Sequence, residues 1–113
     1  MDTGEIVLIP FPFADFSQRK VRPAAVVCET KDIYRDLVLC AISSVVPEQP
    51  SENEILLKKG VENGLRKDSV LKVDRIVTAK LQDLIARIGK MNDADLEKFR
   101  ATFISLIEPS VEK

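Results

Sequence analysis

The segment RKVRP at positions 19–23 is the first candidate for chemistry, because it places Arg19, Lys20 and Arg22 directly before Pro23. Proline disfavours a helical backbone at the preceding residue, so Arg22 is predicted to be extended, at the mouth of a strand. An arginine held there presents a planar fork of donors that can bind a phosphate group through two hydrogen bonds. The alternative is a solvated run of charges with no specific ligand.

Two adjacent hydroxyls, Ser43 and Ser44, end an otherwise apolar strand. Because side chains alternate along a strand, one hydroxyl faces one side of the sheet and the other faces the opposite side. Either of them could position a phosphate or a ribose. The alternative is a strand-end hydroxyl that bonds to the backbone.

A third candidate is the segment KVDR at positions 72–75. Lys72 and Asp74 are two residues apart, so in a strand they are predicted to share a face. A cation and a carboxylate on one face could hold an anionic substrate and move a proton. The alternative is a cross-strand ion pair.

The composition excludes several classes of enzyme. The 113 residues include no histidine, which removes Ser-His-Asp and Cys-His catalysis, paired-histidine nuclease chemistry and histidine metal sites. Lys plus Arg total 17 and Asp plus Glu total 18, so a strongly basic surface over the whole chain is excluded, although a local basic face is not. Any enzyme with this composition must use Arg, Lys, Asp, Glu, Ser, Thr, Tyr or Cys as its catalytic groups.

The two cysteines, Cys28 and Cys40, are too few for a four-ligand zinc site or a disulfide scaffold. Both lie in apolar segments and are predicted to be reduced and to be buried as small hydrophobic residues. A nucleophilic role is disfavoured, since no histidine is present to lower the thiol pKa. No metal and no cofactor are expected.

The length predicts a single domain over residues 1–113. The N-terminal residues lack the basic-then-apolar order of a signal peptide, and no apolar run approaches the roughly 20 residues of a membrane span. We therefore expect a cytoplasmic protein without a membrane partner.

Five short strands are predicted in the first two thirds of the chain, with turns between them and no long helix. They span residues 5–9, 23–28, 36–44, 54–58 and 69–73. Pro10 and Pro12 are predicted to end the first strand. Two long loops are predicted over residues 11–21 and 46–53. This spacing favours a small barrel or a two-sheet packing.

In the last third of the chain, the spacing of the apolar residues changes from that of strands to that of a helix. Residues 78–84 could hold one or two helical turns, and residues 86–91 a further strand broken at Gly89. Asn92 is predicted to cap a C-terminal helix that ends at Pro109. The apolar residues of this helix recur at helical spacing and are expected to pack on the barrel: Leu96, Phe99, Phe103, Leu106 and Ile107.

Several ordered blocks of this sequence resemble the MazF/PemK-type toxins of bacterial toxin–antitoxin systems. They are GEIVL at 4–8, VRPAAVV at 21–27, AISS at 41–44, GLRKDSV at 64–70, DRIVT at 74–78 and IGKM at 88–91. The resemblance implies a mainly β (α+β) fold: a small SH3-like β-barrel with short helices and a C-terminal amphipathic helix, paired as a homodimer. It also implies a cognate antitoxin as partner.

The activity implied by the resemblance is that of an endoribonuclease (an mRNA interferase). Such toxins cut single-stranded RNA at short sequences without a metal, by attack of the RNA's own 2′-hydroxyl. The products are a 2′,3′-cyclic phosphate and a 5′-hydroxyl. Two alternatives stay open: a non-catalytic toxin on the same barrel, such as a CcdB-like topoisomerase poison, and a module that only binds RNA.

The catalytic residues follow from the resemblance by matching motifs, and the RNA-binding candidates come from the segments described above. The catalytic candidates are Arg22, Ser43, Asp74 and Lys72. The RNA-binding candidates are Arg19, Lys20, Arg75 and Ser44. The chemistry of the residues agrees, because attack by a 2′-hydroxyl needs a proton acceptor and cations for the pentacoordinate phosphate.

Overall fold

A computed structural model describes residues 1–12 and 19–108 of the chain. In chain order its elements are β1 (Glu5–Pro12), β2 (Arg19–Glu29), β3 (Leu37–Ser43), β4 (Glu54–Leu57), β5 (Ser69–Ala79), a 3₁₀ turn (Leu81–Asp83), β6 (Ala86–Lys90) and α1 (Asp93–Ser105). No helix in this described part is long and apolar enough to cross a membrane.

The strands form one antiparallel sheet in the order β4-β5-β3-β2-β1-β6. The sheet curls into a half-barrel, and α1 packs on one of its sides. This confirms the predicted mainly β fold with a C-terminal helix.

Apolar side chains cover both sides of the central strands. The helix-side cluster contains Ile6, Ala25, Cys40, Ile42, Leu71, Val73 and Phe99, among others. The far-side cluster contains Val7, Ile9, Ala24, Val26, Leu37 and Leu39. Neighbours in sequence, such as Ala24 and Ala25, fall in different clusters because side chains alternate along a strand. The near-continuous apolar runs of β2 and β3 follow from this double burial.

The prolines do not end β1, contrary to prediction, and the strand continues to Pro12. β6 pairs only with residues 5–8 of β1. The carbonyl oxygen of Leu8 accepts from the amide of Ile85 (3.0 Å), so the polar groups of Leu8 face β6. By alternation, Pro10 and Pro12 direct their nitrogens to the same edge, beyond the last β6 pair. A proline on that edge removes no ladder hydrogen bond.

Both ends of the loop predicted over 11–21 are strand instead, because β1 continues to Pro12 and β2 already begins at Arg19. Residues 13–18, which include most of that loop, lie outside the described residues.

β5 is longer than predicted. The segment expected to start helical turns at residue 78 is strand, since Thr78 pairs with Val38 and Ala79 with Leu37. The β-branched run from Ile76 to Thr78 suits a pleated strand. Only the short 3₁₀ turn Leu81–Asp83 follows.

Gly89 does not break β6, contrary to prediction; it pairs with Ile6 within a continuous strand. Its lack of a side chain serves a close approach instead. A Cβ built at Gly89 would lie 2.3 Å from the carbonyl oxygen of Glu62.

The capped C-terminal helix is confirmed. The side chain of Asn92 accepts a hydrogen bond from the amide of Asp95 at 2.7 Å, as an N-cap does. Phe99 is buried, and Leu96, Phe103 and Leu106 pack against the same cluster. The prediction is wrong for Ile107, which lies beyond the helix and is 79% exposed. The helix ends at Ser105, before Pro109, which lies outside the described residues.

Candidate functional site

Arg22 lies inside β2, opposite Ile9 of β1. The predicted extended backbone is confirmed, but Arg22 is not at the mouth of the strand, since β2 begins three residues earlier. Alternation places Arg22 on the same side of the sheet as Ile9 and Ala24, both in the far-side cluster. We call this side the arginine face. The side chain of Arg22 is half-buried there.

Ser43 is the last residue of β3 and pairs with Val70 of β5. The last pair between β2 and β3 joins Ala24 to Ala41. Arg22 and Ser43 each lie two residues beyond this pair, so alternation places both on the arginine face. The Ser43 hydroxyl oxygen accepts from the amide of Val45 at 3.1 Å, which leaves its proton for donation.

Ser44 points to the opposite side. It is exposed and lines a cavity with Val21 and Pro23, the two residues that flank Arg22. The structure therefore distinguishes the two serines: Ser43 shares a face with Arg22, and Ser44 does not.

Lys72 completes a row across four strands. It pairs with Ala41 of β3 and with Glu54 of β4, and Ala41 pairs with Ala24 of β2. Residues in such a row share a side of the sheet, so half-buried Lys72 lies on the arginine face. It is the diagonal neighbour of Ser43, a spacing of about 7–8 Å in a regular sheet.

Asp74 departs from the predicted arrangement. The pairing of β3 with β5 jumps from Ala41–Lys72 to Cys40–Ile76, so Asp74 lies in a bulge where simple alternation does not hold. Its carboxylate accepts a hydrogen bond from Asn53 Nδ2 at 3.4 Å. Within the described part of the chain, neither Lys72 nor Asp74 forms an ion pair, so the alternative of a cross-strand ion pair is not observed.

Comparison with protein families matches residues 2–107 to the family described as the PemK-like, MazF-like toxin of type II toxin–antitoxin systems. The chain belongs to this family. The predicted resemblance is thus confirmed over nearly the whole sequence. No curated protein sequence matches the chain.

Several solved structures share the fold. MazE–MazF from Deinococcus radiodurans is 20% identical over 97% of both chains, with a TM-score of 0.68. An endoribonuclease in complex with its cognate antitoxin from a mycobacterial species is 15% identical over 95% of this chain and 97% of that one, with a TM-score of 0.66. Toxin MazF-mt6 of Mycobacterium tuberculosis is 18% identical over 88% and 93%, with a TM-score of 0.62.

Glu54 is a carboxylate of this MazF/PemK-type toxin that the sequence analysis did not identify. It lies directly opposite Lys72, and its Oε1 accepts from the amide of Ser51 at 2.7 Å. The sequence carries no signal for this proximity, because it depends on the register between β4 and β5. Glu54 is therefore a carboxylate on the arginine face, and it joins Asp74 as a candidate proton acceptor.

The remaining RNA-binding candidates lie at two places in the toxin. Lys20 is exposed on the arginine face, opposite Phe11 of β1. Arg19 begins β2, but its side chain lies outside the described residues. Arg75 is exposed in the β5 bulge. β3 lies between Arg75 and the basic strand β2.

The two cysteines have different environments, and neither forms a disulfide. Cys40 is buried as predicted, and burial together with the charge of Asp74 raises the pKa of its thiol to about 12. The prediction is wrong for Cys28, which is exposed. The pairing of β2 with β3 shifts between Val26 and Cys28, and this irregularity ends the alternation that would have buried Cys28.

Proposed function

We propose that this toxin is an endoribonuclease that cuts single-stranded RNA by attack of the substrate's 2′-hydroxyl, without a metal, in the cytoplasm. The products are a 2′,3′-cyclic phosphate and a 5′-hydroxyl. The observation that carries the proposal is the common placement of Arg22, Ser43 and Lys72 on the arginine face of three adjacent strands. Membership of the PemK/MazF family supports it.

Arg22 supplies charge to the transition state. The pentacoordinate phosphate carries more negative charge than the ground state, and preorganised donors that face it lower the barrier. A guanidinium stays protonated in proteins, so electrostatic stabilisation is the first role of Arg22 and proton donation its second. Lys72 is the second cation on the same face, and the Ser43 hydroxyl orients a phosphate oxygen.

The proton of the 2′-hydroxyl goes to Asp74 or to a water molecule. Asp74 is exposed, and its carboxylate accepts a hydrogen bond from Asn53. The RNA must therefore approach the β5 bulge to reach Asp74. Glu54 lies opposite Lys72 and is the alternative to Asp74 as the proton acceptor. Separate Asp74→Asn and Glu54→Gln variants distinguish them, because only loss of the acting base changes the acidic limb of the pH–rate profile.

The partners of this toxin are single-stranded RNA, a cognate antitoxin and a second copy of the chain. The antitoxin would use an acidic segment whose carboxylates compete with RNA phosphates for Lys20, Arg22 and Lys72. A homodimer would extend the modest basic face of one 113-residue chain. Sedimentation over a tenfold range of protein concentration tests the dimer.

One substrate change tests the mechanism. Replacing the ribose 5′ of the scissile phosphate by deoxyribose removes the nucleophile and keeps every phosphate. Binding should change little, because phosphates dominate affinity. Cleavage, measured with chelator present, should fall below detection, whereas the unmodified RNA should give a cyclic phosphate and a 5′-hydroxyl. Cleavage of the deoxy-substituted strand would mean that water attacks, and the roles above would be wrong.

A further inference from the structure

A cavity of about 510 Å³ lies on the side of the sheet opposite the arginine face. Its apolar wall includes Val21 and Pro23 of β2 and Ile88 of β6. Arg66 and Lys67, from the loop before β5, stand at its polar side together with Ser44. The volume lies within the roughly 300–1,000 Å³ of small-molecule sites.

This cavity adjoins the candidate catalytic residues. Val21 and Pro23 flank Arg22 in β2, and Ser44 follows Ser43 at the end of β3. β2 pairs with β3 only from Ala24 onward, so the cavity and the arginine face meet at the edge of β2 beside the end of β3. A nucleotide in the cavity would therefore lie across this edge of β2 from a phosphate held at Arg22.

The charge of the cavity suits an anion. Arg66 and Lys67 are exposed, and neither forms an ion pair with a carboxylate of the described chain. The described residues that line the cavity include no acidic side chain. The carboxylate of Asp68, next in sequence, accepts a hydrogen bond from the amide of Lys59 at 2.9 Å instead.

The loop that carries the two cations is held in place. Buried Asn63 accepts from the amide of Leu65 at 2.9 Å and donates to the carbonyl oxygen of Lys58 at 2.8 Å. Gly64 has a φ of +74°, and a Cβ there would lie 2.0 Å from the carbonyl oxygen of Ile88. The cations are therefore mounted on a preorganised backbone, which lowers the cost of ordering them on binding.

We propose that this cavity binds the nucleotide next to the scissile phosphate. Arg66 and Lys67 bind its phosphate, the apolar wall packs against its base, and the Ser44 hydroxyl hydrogen-bonds a polar edge. A mixed site of two cations, one hydroxyl and an apolar wall matches a nucleotide, which offers a phosphate and a flat base together. This inference rests on the proposed endoribonuclease function.

The test compares two double variants by fluorescence anisotropy, using a labelled RNA with deoxyribose at the cleavage position. Arg66→Ala/Lys67→Ala removes the cavity's cations. Lys31→Ala/Lys98→Ala is the matched control, since both lysines are exposed and lie outside the cavity. The first variant should lose at least about tenfold in affinity, the effect of one charge-assisted hydrogen bond. The slope of log affinity against log salt concentration should become shallower by about 0.7 for each phosphate that the variant no longer neutralises.

An abasic scan tests the base contact. A single abasic nucleotide is moved along the RNA beside the cleavage position, and one position should weaken binding to the wild-type protein. Ser44→Phe fills the cavity, so the abasic nucleotide at that position should cause no further loss in this variant. Such non-additivity is the sign of a direct contact.

The outcomes separate the cavity from the activity. If the wild-type protein cleaves RNA while Arg66→Ala/Lys67→Ala binds RNA as the control does, the cavity proposal alone is overturned. Weaker binding of an acidic antitoxin peptide by that variant, with RNA binding at the control level, would assign the cavity to protein docking and also overturn it. If the wild-type protein neither binds nor cleaves RNA, both proposals fail.

Discussion

Replacing Arg22 by alanine gives the strongest test of the candidate site. Arg22 lies on the arginine face beside the position of Ser43, and it belongs to neither apolar cluster. Removing one preorganised donor from an anionic transition state costs about 10²–10³ in kcat, or roughly 3–4 kcal/mol. We therefore expect the cleavage rate of Arg22→Ala to be lower than that of the wild type by at least about 100-fold.

Stability should change much less than activity. Arg22 is half-buried and contributes no apolar side chain to the core, so the free energy of unfolding should fall by about 1 kcal/mol or less. Arg22→Lys should be intermediate in cleavage, because it keeps the charge and loses the two-point fork. Arg100→Ala is the matched control, since Arg100 is exposed on α1, which packs on the other side of the sheet.

The assay is single-turnover cleavage of a labelled single-stranded RNA at saturating enzyme, with chelator present. Single turnover separates the chemical step from product release. Thermal melts of all three variants accompany it. Wild-type cleavage by Arg22→Ala, together with a normal melt, would refute the placement of Arg22 at the reacting phosphate. Equal losses in Arg22→Ala and Arg100→Ala would show only a general charge effect.

Three further results are expected. Ser43→Ala should reduce cleavage more than Ser44→Ala under single-turnover conditions, because only Ser43 shares the arginine face; the reverse order would contradict that face assignment. In the native protein a thiol reagent should modify exposed Cys28, whereas Cys40 should react only after unfolding, as mass spectrometry of the labelled peptides can show. Hydrogen bonds from the N-terminal ammonium and from Arg35 lower the pKa of Glu29 below its ordinary 4.5. The resulting stabilisation is present above the unfolded-state pKa of Glu29 and is lost as pH falls through the lower folded-state pKa. Glu29→Gln should therefore reduce the fall at acid pH of the free energy of unfolding, measured by urea titration. An unchanged pH dependence would show that the contact contributes nothing.

Local features of the sequence determined local structure. The Arg-Pro step predicted an extended Arg22, because the clash between a proline ring and the preceding residue acts within two residues. Asn92 predicted the start of α1, since a cap needs only an amide three residues away. The ordered blocks of residues also predicted the toxin family, which the family comparison confirmed.

Features that depend on register were not predictable from local sequence. The side chains of Lys72 and Asp74 would share a face in a regular strand, but the bulge between β3 and β5 breaks the alternation. Pro10 was expected to end β1, yet it is tolerated because β6 stops short of it. The exposure of Cys28 follows from another shift in pairing. Each outcome depends on a partner strand that is distant in sequence.

The sequence by itself therefore determined the family, most strand positions, the C-terminal helix and the candidate cations and hydroxyls. Only the tertiary structure decided that Ser43 accompanies Arg22, that Glu54 opposes Lys72, and that Arg66 stands over a cavity on the other side. The physical reason is that propensities and caps act over a few residues, whereas a site on a sheet is assembled by pairing. A shift of one residue in that pairing moves a side chain to the other face.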